Sequence, residues 1–133
     1  MDIRGNCTIS FIDSTLTNEV INSMLQLTPT KIVNKGQIVS EVLKKRAESN
    51  KWIYREPLIG EEEPHQTLTR LLNRLESEKA RYVIKSCNDA VIGLYLNSDY
   101  GQLGFELSIE TIAKLSQLKV RLEIHILSFG MVK

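Results

Sequence analysis

The stretch "SIETIAKLSQLKVRLEIHI", Ser108 to Ile126, changes its hydrophobic period within two residues. Ser108 carries the short hydroxyl side chain that caps a helix, and Leu107 before it can staple onto Ile112, with Leu115 and Leu118 continuing the stripe. From Val120 the spacing becomes two. Val120, Leu122, Ile124 and Ile126 share one side, and Arg121, Glu123 and His125 share the other. A helix that feeds directly into a half-buried strand needs a sheet with one covered face to receive it. An all-helical fold cannot supply that.

The preceding residues extend the unit. Val91 to Asn97 reads as a strand with Ile92, Leu94 and Leu96 inward, Gly101 marks a turn, and Leu103, Phe105 and Leu107 alternate as a second, short strand. "CTISFID", Cys7 to Asp13, puts Cys7, Ile9 and Phe11 on one face. A helix follows, capped by Thr17, with Glu19 in its first turn, a buried stripe of Val20, Ile21, Met24 and Leu25, and Pro29 as its stop. Thr30 to Asn50 reads as an irregular hairpin arm turning at Asn34–Gly36. "KWIYRE" then alternates as a strand closed by Pro57 and Gly60. Pro64 opens a long helix striped by Leu68, Leu71, Leu72, Leu75 and Tyr82, which Asn88 is expected to end in left-handed geometry.

Two strand–helix–strand units predict an α+β fold: a mixed, mainly antiparallel sheet with helices packed on one face, nearest to a ferredoxin-like α/β sandwich. The expected core joins Cys7, Ile9, Phe11, Ile92, Leu94, Leu96, Leu122, Ile124 and Ile126 from the sheet to Ile21, Leu25, Leu72, Leu75, Ile112 and Leu115 from the helices. At 133 residues the chain is expected to be a single domain, 1–133.

Charge narrows the function. Seventeen Lys and Arg against sixteen Asp and Glu leave a net +1, without the basic excess that phosphate neutralisation demands, so nucleic acid is not an expected partner. Lys44-Lys45-Arg46 and Glu61-Glu62-Glu63 read as solvated loops or element ends. The longest apolar run, Ala90 to Leu96, is far short of a membrane span, and Asp2 stands where a signal peptide would carry basic residues. Two cysteines make no disulfide framework. A cytoplasmic location and no membrane partner are expected.

Catalytic patterns are sparse. His65, His125, Cys7 and Cys87 show no paired metal-ligand spacing, so no metal and no cofactor are expected. Cys87 has no cationic neighbour to lower its pKa, and "GQLG" (Gly101 to Gly104) is no phosphate loop. Glu61 to Glu63 are expected to be exposed and unperturbed. Gly93 inside a strand is expected to admit a neighbouring ring, from Trp52 or Tyr95.

"LTPTKIVNKG" (Leu27 to Gly36), the lone Trp52 at a strand start, the leucine-striped helix and "GFELSIETIAKLSQLKVRLEIHI" (Gly104 to Ile126) together resemble a bacterial family, domain of unknown function 4279. The resemblance implies a compact α+β domain of the bacterial cytosol and supplies no catalytic residues. The family-like positions Lys35 and Trp52 could line a pocket, or serve as a solvated turn residue and a core anchor.

Two functions fit these observations. One is a non-catalytic interaction protein, in its most concrete form an immunity-type protein neutralising a toxin domain, with self-association as the other kind of protein contact. The second is a small-ligand or regulatory module with its pocket between the sheet and the Thr30–Asn50 arm. For the first, strand alternation sends Thr8, Ser10, Tyr95, Arg121, Glu123 and His125 to one outward face.

Overall fold

The computed structural model describes residues 3–131. Five strands form the main sheet in the order β2-β5-β1-β6-β7. They are β1 (Ile3–Ile12), β2 (Lys31–Val33), β5 (Lys51–Pro57), β6 (Asp89–Tyr100) and β7 (Arg121–Met131), and β3 (Ile38–Ser40) pairs with β4 (Lys45–Arg46) in a separate ribbon. The helices are α1 (Asn18–Leu25), α2 (Pro64–Arg74), α3 (Glu78–Lys85) and α4 (Ile109–Leu118). All pairings in the main sheet are antiparallel except β6 with β7, which α4 connects. The α+β class with a mixed sheet therefore holds. A ferredoxin-like sandwich repeats a split β–α–β crossover, whereas here α4 joins adjacent strands.

Local chemistry explains most of the elements. Thr17 and Ser108 cap α1 and α4 by accepting from the backbone N–H groups of Val20 and Thr111. Helix α1 ends earlier than Pro29 requires, at Gln26 in left-handed geometry. The arm turns at Asn34–Gly36, where Gly36 takes φ +88° and Gln37 N–H donates to the Asn34 carbonyl.

The core gathers Cys7, Ile9 and Phe11 of β1, Trp52 of β5, and Ile92, Leu94 and Leu96 of β6. With them are Ile21 and Leu25 of α1, Leu68, Leu71 and Leu72 of α2, Ala80 and Val83 of α3, and Leu118 of α4. Alternation on β1 and β6 is thus read correctly, and Leu75 is buried as expected.

Several expectations fail for identifiable reasons. The long helix is two. Ser77 accepts from Ala80 N–H and starts α3 afresh, which turns Tyr82 out to 58% exposure. Helix α3 then closes at Ser86 in right-handed geometry, while Asn88 N–H donates to the Ile12 carbonyl. Leu103 to Leu107 make no strand, although Leu103, Phe105 and Leu107 still pack against the core. Val20 and Ile112 are exposed. Ile124 and Ile126, expected in the core, are 45% and 52% exposed. Helix α4 leans on α2 instead, through Thr69–Thr111 (2.9 Å) and Lys114–Asn73 (2.6 Å). No helix among the described residues is long and apolar enough to cross a membrane.

Candidate functional site

The parallel register sets Tyr95 of β6 beside His125 of β7, on the face opposite to Leu94 and Ile124. Their rings stack at 4.8 Å between centroids and 6° between planes. Gly93 makes this possible: a Cβ there would lie 2.6 Å from the Tyr95 ring, so only glycine lets the ring lie back along its own strand. Of the two rings considered for that space, Tyr95 takes it.

Beside the stack runs a line of charges. Arg121 donates one N–H to Asp89 and another to Glu123, both at 2.6 Å, and the far oxygen of Glu123 is 3.5 Å from His125 Nε2. Arg121, then His125, hold the Glu123 carboxyl below its usual range, and Asp89, then Glu123, raise the Arg121 guanidinium. These groups are solvent-exposed, so such pairs add little stability. What they do is orient a tyrosine, an imidazole and a guanidinium on one surface. On neighbouring β1, Thr8 and Ser10 belong to the same face by register, but Thr8 is buried, bonded to Asn6, and Ser10 half-buried. The exposed patch is therefore Tyr95, Arg121, Glu123 and His125.

Lys35 and Trp52 do not join it. Trp52 is buried on the other face, 5.3 Å from Phe11 between ring centroids, with its indole N–H donating to Asn22 Oδ1 at 2.7 Å. Lys35 sits exposed on the arm's turn, its backbone N–H bonded to Asn50. Trp52, with Phe11 and Thr17, borders a cleft of about 260 Å³ that Lys35 does not line. A second cleft of about 350 Å³ separates the β3–β4 ribbon from β2 and β5. Lys31, Lys45, Arg46 and Lys51 line it against one carboxylate, Glu48.

Sequence reasoning missed a buried charge cluster on the inner face of β5. Glu56 is 4% exposed and accepts from Arg70 (3.0 Å), from Arg74 and from the Tyr54 hydroxyl (3.0 Å). Arg70 also donates to Glu62 at 2.5 Å, and Thr67 to the same carboxylate at 2.6 Å. Burial alone would raise Glu56, but the hydrogen bonds from Arg70, Arg74 and Tyr54 outweigh it and hold the carboxyl below its usual range. Glu62, expected to be solvated, is shifted the same way against the same burial cost. Two arginines face two carboxylates, so the cluster is neutral, and every carboxylate oxygen accepts at least one hydrogen bond. It fastens α2 to β5. Cys7 lies opposite Glu56 in the ladder, and burial, then that carboxylate, push its thiol up to about 12. The signal was available: Glu56 continues the Trp52–Tyr54 face, and Arg70 and Arg74 are one helical turn apart.

His65 lies in the first turn of α2 and His125 on the outer face of β7, as read. Cys87 donates to the Val83 carbonyl at the end of α3, and burial raises its pKa. Among the described residues no group of three His, Cys, Asp or Glu side chains is placed to hold a metal.

A five-stranded mixed sheet, a core shared with four helices and an aromatic-charged outer patch define an α+β domain. The chain belongs to the family Domain of unknown function (DUF4279), whose model matches residues 3–129, nearly the whole chain. No curated protein and no solved structure matches it.

Proposed function

We propose that this chain is a non-catalytic interaction protein, a two-layer sandwich whose outer sheet face binds a protein partner. The observation that carries the reading is the Tyr95–His125 stack flanked by Arg121 and Glu123. An aromatic ring and a guanidinium, both held in place and both accessible, are the side chains that most often dominate binding energy. Tyr95 is 42% exposed although Gly93 gives its ring room to lie against the strand. Mutual neutralisation of Glu56, Glu62, Arg70 and Arg74 gives that cluster a fastening role. An immunity-type inhibitor acting on a toxin domain in the bacterial cytosol is the most concrete form of this reading, supported by size and fold class.

The test pairs the chain with the products of the genes flanking its own and measures association by calorimetry. Arg121→Glu with Tyr95→Ala should weaken a complex by about tenfold or more, with the unfolding midpoint nearly unmoved. A complex indifferent to both changes would place the partner elsewhere.

The basic cleft under the arm favours a second reading, a module for a small anionic ligand. A thermal-shift series with organic phosphates and carboxylates tests it, since a ligand at 100 times its dissociation constant adds about 2.7 kcal/mol. Loss of any shift in Lys31→Ala with Lys51→Ala would place the ligand in the cleft. A flat response in the parent chain removes this reading.

A further inference from the structure

The last strand leaves an edge of the sheet open. Beyond β7 the described residues supply no further strand, so the outward half of its backbone N–H and C=O groups lacks a ladder partner. Proteins usually blunt such edges with shortness, proline, lysine, inward charges or a bulge. β7 is eleven residues long and contains neither proline nor lysine, and its inward positions Leu122, Ile124 and Ile126 are apolar. The irregularity against β6 comes only past Ser128, which leaves Arg121 to Ser128 in regular register.

We propose that this edge docks a second copy of the same chain, antiparallel, on a twofold axis through Ile124. This inference uses the strand's edge and a different partner from the outer-face reading, and shares Glu123 and His125 with that patch. Antiparallel pairing about an axis perpendicular to the sheet keeps inner side chains opposite inner and outer opposite outer. Centred on Ile124, that residue meets its own copy, Leu122 meets Ile126 twice, Glu123 meets His125 twice, and at the ends of the paired segment Arg121 meets Leu127 twice. Apolar groups oppose apolar ones on the inner face, and an anion opposes an imidazole on the outer face.

Other registers lose this match. Centred on Glu123, two carboxylates would be directly opposed and Arg121 would face His125. Centred on Leu122, only Arg121 to Glu123 of the strand would pair. Centred on His125 or Ile126, Glu123 would face Leu127 or Phe129. Opposite charges directly across a ladder stabilise it and like charges destabilise it. Over Leu122 to Ile126, β7 is thus complementary to itself in the register centred on Ile124. Ile124 and Ile126, half-exposed in the single chain, would be covered, and two five-stranded sheets would become one of ten strands.

Analytical ultracentrifugation of the full chain should show a dimer, and Ile124→Lys, which sets two ammonium groups against each other on the axis, should give a monomer with unchanged circular dichroism. Register is read by oxidation. Ile124→Cys should cross-link rapidly, because directly opposed residues fall within disulfide reach. Ile126→Cys should not, its copies lying about 13 Å apart, four residues along the strand. If Ile124→Lys fails to fold, Glu123→Lys replaces it. That change should dissociate the dimer, and adding His125→Glu should restore it by setting a carboxylate opposite each new lysine. A monomeric parent chain at every concentration overturns the proposal. So does a dimer that cross-links through Ile126→Cys in preference to Ile124→Cys, or one that the charge reversal fails to restore.

Discussion

The two ends of the sheet are finished differently. At the β5 end the outermost strand, β2, is three residues long, begins with an exposed lysine and leads into the turn before the β3–β4 ribbon. Next to it β5 sinks Trp52 into the core and is fastened to α2 by Glu56, Arg70 and Arg74. At the other end β7 has eleven residues, and Ile124, Ile126, Leu127 and Phe129 are each between 45% and 60% exposed. At the first end Trp52, Tyr54 and Glu56 of β5 are engaged within the chain. At the other, four apolar side chains of β7 stay half-exposed. The difference separates residues that hold the domain together from residues left to meet something else.

The comparison breaks most visibly if two aromatic truncations cost the same. Trp52→Ala removes a side chain that is 1% exposed, together with its hydrogen bond to Asn22, and should cost about 3–5 kcal/mol in urea unfolding. Phe129→Ala, at 60% exposure, should stay within about 0.5 kcal/mol. Comparable losses would mean that β7 is packed as tightly as β5.

The charge cluster gives the next largest effect. Glu56→Gln should cost about 1.5–3 kcal/mol, the range for hydrogen bonds to charged groups. The pH dependence has a definite sign. The folded Glu56 and Glu62 carboxyls lie below their unfolded values, so their ionised forms contribute stability that is complete above the ordinary carboxylate range. That contribution is lost as pH falls through the lowered folded values. Acid titration of the unfolding midpoint should therefore be shallower in Glu56→Gln than in the parent. A parallel pair of curves would show that Glu56 contributes nothing through its charge.

How much of this was readable follows the same division. Alternation found Cys7, Ile9 and Phe11, and Ile92, Leu94 and Leu96, because central strands are covered whatever their neighbours do. Thr17 and Ser108 were readable because capping is settled within four residues. Ile124 and Ile126 have the same period as Leu94, yet burial at an edge depends on where α4 comes to rest, and no local signal sets that. The break at Ser77 was masked by leucines whose spacing suits one helix as well as two. Glu56 was missed because a carboxylate is assumed to be solvated, and its arginines arrive from a helix 14 and 18 residues away. At the candidate patch, the positions of Tyr95, Arg121, Glu123 and His125 followed from alternation. The Tyr95–His125 stack needed the parallel register, which only the crossover through α4 determines.

The smallest predicted effect concerns Gly93, which lies on the open side of the sheet next to β7. The three heavy atoms nearest to a Cβ added there all belong to the far end of the Tyr95 ring, at 2.6 to 2.9 Å. The ring can swing aside about its χ angles, so the clash is relieved without moving a strand. Alanine also recovers the entropy that glycine forfeits in a strand, of order 0.5–1 kcal/mol. The two contributions oppose each other, and Gly93→Ala should leave stability within about 1 kcal/mol of the parent. The stack should not survive, because Tyr95 reaches His125 only by lying over the glycine. Ring-current shifts on the His125 imidazole protons should therefore collapse in the NMR spectrum while the core methyl resonances hold their positions. A core that moves with the histidine would mean that the outer patch is part of the packing, and the contrast between the two ends of the sheet would fail at that point.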